Sequence, residues 1–239
     1  MGAGSVQSSK LRRHLRGPRG FLYAMMGFYA LVIGGYGTFA TLADYSETVK
    51  SSEKVTRDYV RLLEEHSKRT IDSADLLVLR LIDRIVAQGH LPQPQDYDTE
   101  RRLMAAMANA SPQTETLYLI DPTGRLFLAS RPIPASAQDA TERDFYQVLK
   151  SGHENMYVGK VVRDPFTTNF TFPVARRITD AHGRFLGIAV ATIPNLYFKE
   201  FYHNLAVGSS PAMGVYKLDG SILVREPILK DDDVINKNM

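Results

Sequence analysis

Cysteine is absent from this chain of 239 residues. That excludes disulfides, thiolate metal sites and cysteine nucleophiles, and it leaves the compartment open. The short patterns of common chemistries are absent too. There is no H-E-x-x-H, no G-x-S-x-G, no Walker loop and no G-x-G-x-x-G. His90, His153, His182 and His203 are scattered without metal-ligand spacing. No cofactor or metal is implied, and no enzymatic activity is expected of the chain itself. The net charge of +3 would suggest a nucleic-acid partner, but its distribution argues otherwise. Residues 1–20 contain Lys10, Arg12, Arg13, Arg16 and Arg19 and no acid, and beyond them acidic residues outnumber basic ones. The basic character belongs to a tail, so nucleic acid is not an expected partner.

The longest stretch without charge is Phe21 to Ala43, 23 residues. At 1.5 Å per residue it is about 34 Å long as a helix, enough to cross a hydrocarbon core of about 30 Å. The positive charges before it should stay in the cytoplasm, which sends the chain from Asp44 onward outside a bacterial inner membrane. Two other readings compete. One is a signal peptide cut after Ala43, although the apolar run exceeds a usual signal core. The other is a buried core helix, which the lack of an amphipathic period disfavours. The closely set Gly34, Gly35 and Gly37 do not make a G-x-x-x-G motif.

From Asp44 to Gly89 there is neither Gly nor Pro before the last position. Apolar residues recur at helical spacing through Val55, Leu62, Ile71, Val78, Leu81 and Ile85, with a gap around His66. This long helix is read either as a solvated stalk or as a signalling helix that forms a homodimer. A short helix is expected near Thr99–Asn109. The sequence then turns to short strands: Thr116–Asp121, Arg125–Ser130, Tyr157–Arg163, Asn169–Ile178 and Arg184–Ile193, with Asp-Gly-type turns. Helices are expected at Asp144–Lys150 and Tyr197–Leu205, and a last hairpin across Ala212–Arg225. Tyr197, Phe198, Phe201 and Tyr202 form a stripe at helical spacing and read as core. Arg163 and Asp164 read as an exposed turn pair, with a pocket rim as the other option. The fold class is α+β: a transmembrane helix, a long stalk helix, then an antiparallel sheet with flanking helices.

The ordered set R-D-F-Y (Arg143–Tyr146), Y-V-G (Tyr157–Gly159), A-R-R-I (Ala175–Ile178), G-x-F-x-G (Gly183–Gly187) and D-G-x-I-L-x-R (Asp219–Arg225) resembles the extracytoplasmic Cache sensor domains. These PAS-like domains belong to bacterial histidine kinases, diguanylate cyclases and chemoreceptors. The resemblance spans about Asp44 to Pro227. It implies a small-molecule ligand held between the sheet and its covering loops. Arg143 and Tyr146 match the Arg and Tyr of the family's R-x-W-Y motif, Phe145 stands at its Trp, and Tyr157 matches a later Tyr. The Asp that binds a ligand amino group falls at Thr192, which leaves a carboxylate ligand better supported than an amino acid. Arginine's planar fork suits a carboxylate. Against this, Phe145 and Tyr146 could pack as core while Arg143 pairs with Glu142 or Asp144.

The expected organisation is a basic tail (1–20), a transmembrane helix (21–43), a stalk helix (44–89), a Cache sensor domain (90–227) and a polar tail (228–239) that stops before a second subdomain. The expected function is a membrane-anchored sensor for an organic acid or amino acid, feeding a kinase or cyclase beyond this chain. The alternatives are a structural or dimerisation module without ligand, and a stand-alone periplasmic binding protein.

Overall fold

The computed structural model describes the backbone of residues 18–205 and 213–226, with side chains for 21–40, 53–203, 205 and 213–225. Most of the basic tail and the polar tail 228–239 lie outside the described residues. The chain divides into two compact units, 1–63 and 64–239. One helix, α1 (Pro18–Gln88), runs through the division. The expected span and stalk are thus continuous, because nothing between Asp44 and Gln88 breaks a helix.

In the first unit, Phe21–Ala40 is long and apolar enough to cross a membrane. Its large side chains, among them Phe21, Leu31, Ile33 and Phe39, are exposed in the protein. The Thr38 hydroxyl returns a hydrogen bond to the carbonyls of Gly34 and Gly35, at 2.9 Å each. That satisfies the one strongly polar side chain of this stretch within the helix itself.

The second unit is built on a six-stranded antiparallel sheet. Its strands are β1 (Thr116–Ile120), β2 (Leu126–Ala129), β3 (Met156–Val158), β4 (Val162–Arg163), β5 (Phe170–Thr179) and β6 (Phe185–Pro194). They lie in the order β2-β1-β6-β5-β3, with β4 also on β5. The expected single strand Tyr157–Arg163 is broken in two. Gly159 sits against the Pro173 ring, and its amide donates to the Pro173 carbonyl at 2.9 Å. Pro173 lacks an N–H to return to the opposite strand.

The central pair β5–β6 is largely buried on both faces, so β6 reads as a nearly continuous apolar run, while β5 adds Thr171, Arg176 and Arg177 to its apolar positions. Register assigns each side chain to a face. Tyr118, Ile188, Val190, Ala175 and Tyr157 share one face with helix α2 (Asp144–Ser151), whose Phe145, Tyr146 and Leu149 complete that core. Phe172, Val174, Arg176 and Ile178 point to the other face. There Arg176 grips Asp75 of α1 with both branches of its guanidinium, and Phe172 meets Phe198 of helix α3 (Asn195–Leu205).

Among the buried residues of α1 in this unit, Ala74, Val78, Leu81 and Ile85 follow the 4-3-4 spacing of one helix face, extended by Leu77, Thr70 and Ser67. A further short helix (Tyr97–Asn109) packs on β1 and β2. Its buried Glu100 accepts three hydrogen bonds from Arg84 of α1, the shortest 2.7 Å. A two-stranded sheet of β7 (Met213–Tyr216) and β8 (Ile222–Glu226) lies apart from the main one. Asn195 of α3 donates to the Leu223 carbonyl at 3.0 Å and so anchors this hairpin.

Candidate functional site

The face shared with α2 holds a cavity. It is lined by Tyr118 and Leu126 from the first hairpin, Ala140, Arg143 and Phe145 from the β2–α2 connection and helix start, and Thr171 and Thr192 from the central strands. The space open to the centre of a water-sized sphere is about 20 Å³, close to what one ordered water needs. A ligand of several heavy atoms therefore enters only if a wall moves. The lining comes from the connection between β2 and α2 on one side, and from the central strands with Val162 and Pro165 of the β4 region on the other.

That connection is tied to the first hairpin by backbone bonds. Leu126 donates to Gln138 at 2.8 Å, and Ala140 donates to Gly124 at 2.9 Å. The last of these ties needs a close approach: Gly124 has φ +94°, and a Cβ there would collide with the Thr141 methyl. Arg143 follows directly and has extended backbone (φ −74°, ψ 134°) as the residue before α2, which turns its side chain to the cavity.

The half-buried guanidinium of Arg143 has no hydrogen bond or ion pair with any group among the described residues. Neither expected partner takes it. Asp144 is already spent: Oδ1 accepts from the Phe145 amide at 2.8 Å and Oδ2 from the Lys160 amide at 2.9 Å. Glu142 is exposed. The one carboxylate in the lining, the exposed Asp139, accepts from the Thr141 amide (2.8 Å) and hydroxyl (2.7 Å) and makes no ion pair with Arg143, so the guanidinium is open to an external anion.

Asp164 corrects the expectation of an exposed turn pair. Arg163 is exposed, but Asp164 is 1 % exposed. Its Oδ1 accepts from the amides of Phe166 (2.7 Å) and Thr167 (3.2 Å), and its Oδ2 faces the hydroxyls of Thr192 (3.2 Å) and Thr171 (3.5 Å). The turn folds inward because the Asp164 carboxylate caps the two amides that follow it. No cation pairs with this carboxylate among the described residues. Burial pushes the Tyr118 phenol well up; Arg143 pulls it down and Asp164 pushes it further up. The two opposite charges therefore both act on Tyr118, which stands between them electrostatically.

Of the expected site residues, Arg143, Phe145 and Thr192 line the cavity. Tyr146 does not: it is fully buried, and its hydroxyl donates to the Pro122 carbonyl at 3.0 Å, which fastens α2 to the first hairpin. Tyr157 is absent from the lining too. Its hydroxyl accepts from Lys217 at 3.1 Å, on the β7–β8 hairpin. The lining residues not foreseen are Tyr118 and Thr171; Asp164, for which the sequence offered a pocket rim only as the second option, lies behind the hydroxyls of Thr171 and Thr192. Tyr118 sits in an apolar strand, T-L-Y-L-I, where only its parity with Ile120 hints at the face. Asp164 hides in R-D-P-F, which reads as an ordinary turn.

No family model matches this sequence, and no curated protein matches it. Solved structures do resemble it. The extracellular domain of rpHK1S-Z16, a protein described as a histidine kinase, superposes with a TM-score of 0.66 at 24% identity, covering 79% of each chain. The ligand-binding domain of the Campylobacter jejuni chemoreceptor Tlp3, solved with 4-methylisoleucine, gives 0.51 at 14% identity, over 72% of this chain and 69% of that one. The ligand-binding domain of the Pseudomonas aeruginosa amino acid chemoreceptor PctC, solved with GABA, gives 0.51 at 18%, over 70% and 72%. The fold is that of extracellular sensor domains, in agreement with the resemblance read from the motifs.

Proposed function

We propose that this chain is a membrane-anchored extracytoplasmic sensor domain that binds a small carboxylate-bearing molecule. The observation that carries this reading is the Arg143 guanidinium, which lines the cavity and makes no ion pair or hydrogen bond among the described residues. A ligand carboxylate takes its planar fork, Phe145 and Tyr118 exclude water around it, and Thr171 and Thr192 offer hydroxyls. The buried Asp164 carboxylate behind those hydroxyls supplies the acid that position 192 lacks. This returns amine-bearing acids to the ligand class beside simple organic acids. The ligand-bound Tlp3 and PctC domains, which share the fold, were solved with molecules of that kind. Phe21–Ala40 anchors the chain in the membrane with the basic tail on the cytoplasmic side. The reading assigns binding, and no catalysis, to this chain.

Because the cavity is small, binding displaces a wall, and that displacement is the event available for signalling. A ligand shifts an equilibrium only by its preference for one arrangement. The test is thermal unfolding of the detergent-solubilised chain with a panel of organic acids, α-amino acids and GABA. At least one should raise Tm by several degrees, since saturation at 100 times Kd contributes about 2.7 kcal/mol. Arg143→Ala should abolish the rise. No rise with any probe, or an equal rise in Arg143→Ala, points instead to a structural module filled by its own side chains.

A further inference from the structure

The gap in the apolar pattern of α1 falls at His66, and the structure gives that residue an unusual seat. Its ring lies parallel to Phe201 of α3 (centroids 3.6 Å apart, planes within 3°) and near-parallel to Tyr197 (5.5 Å, 16°), with Phe198 edge-on (5.5 Å). The aromatic stripe of α3 is therefore core, and its partner is a histidine. The Nδ1 atom of His66 is buried and has no hydrogen-bond partner. Ser67, the next residue of α1, and Tyr202 of α3 are buried too, and neither hydroxyl bonds the His66 ring. The neutral ring fits this seat, because a lone pair on Nδ1 tolerates an apolar wall.

An imidazolium does not fit. Its second proton sits on Nδ1, which has no acceptor, and a buried N–H left unpaired is costly. Attraction between a cation and the two ring faces offsets part of that cost only. No carboxylate compensates. The charged groups of α1 nearby are Glu64, Glu65, Lys68 and Arg69, and Glu65 is paired with Arg69 at 2.5 Å. Those of α3 are Lys199, Glu200 and His203, with the phenols of Tyr197 and Tyr202. None bonds the His66 ring among the described residues. Burial accordingly holds the ring below the ordinary histidine range.

We propose that His66 makes the packing of α1 on α3 acid-labile: a proton taken up at Nδ1 loosens the Tyr197–His66–Phe201 stack and weakens the hold of α1 on the sensor domain. The sign follows from linkage. The folded state prefers the neutral ring, so the contribution is full above the unfolded pKa of about 6.5 and is lost as pH falls through the lower folded value. This input is separate from the cavity, since α3 packs on the opposite face of the sheet.

The test compares the full-length chain in detergent with His66→Phe, which keeps an aromatic ring in the stack and cannot titrate. Thermal unfolding is followed between pH 8 and pH 5 without any added ligand. The wild type should lose several degrees of Tm more than the variant as pH falls below about 6.5. Parallel losses overturn the proposal. Should the variant fail to fold, the ring carbons of His66 are followed by NMR titration in the wild type. A midpoint below about 6.5 supports the proposal, and one at or above it overturns it. Neither result depends on the sensor reading, which the ligand screen tests by itself.

Discussion

Arg143 and Asp164 carry opposite charges that no neighbouring side chain among the described residues neutralises. Only Arg143 was legible in the sequence, because R-D-F-Y opens a helix after a turn-rich loop. Asp164 read first as an exposed turn and only second as a pocket rim, because burial of a turn aspartate depends on where β4 docks, and two short strands around a glycine give little pattern. The G-x-F-x-G motif was legible as a motif and opaque as physics. Gly187 has φ +149°, and a Cβ there would overlap the Ile120 carbonyl oxygen of the neighbouring strand. Gly187→Ala is expected to destabilise the domain by about 2–4 kcal/mol, read by denaturant unfolding. Tyr146, expected to touch ligand, is instead an anchor. Tyr146→Phe should cost about 1 kcal/mol of stability and leave ligand affinity nearly unchanged.

At the scale of elements, helix positions were legible to within a few residues, since α1 and α2 show clear apolar spacing and breakers end them. Strand pairing was not, because β6 is apolar along nearly its whole length and the polar residues of β5, Thr171, Arg176 and Arg177, fall on both faces, so neither strand alternates cleanly. What holds α1 to the sheet is equally invisible in sequence: Asp75 with Arg176 and Arg84 with Glu100 are 101 and 16 residues apart. The hydrogen bonds from Arg84 hold the buried Glu100 carboxyl below its ordinary range, against the effect of burial. Its contribution is present above about pH 4.5 and fades as pH falls through the lower folded value. Arg84→Ala should cost on the order of 2 kcal/mol near neutral pH, and less in acid. The measurement is the pH dependence of unfolding in the two proteins; an equal difference at pH 7 and pH 3 would count against the pair.

For the whole molecule, the cavity and the α1–α3 packing of the second unit lie on opposite faces of one sheet. The absence of cysteine makes the topology directly measurable. His182→Cys, at an exposed turn, should react with a membrane-impermeant maleimide in intact spheroplasts, whereas Ser8→Cys should react only after lysis. The most direct test of the central claim is calorimetric titration of the best stabilising probe into wild type and Arg143→Ala. If the guanidinium holds the ligand carboxylate, affinity falls by about 30-fold or more, which is about 2 kcal/mol. Affinities within twofold of each other would contradict it.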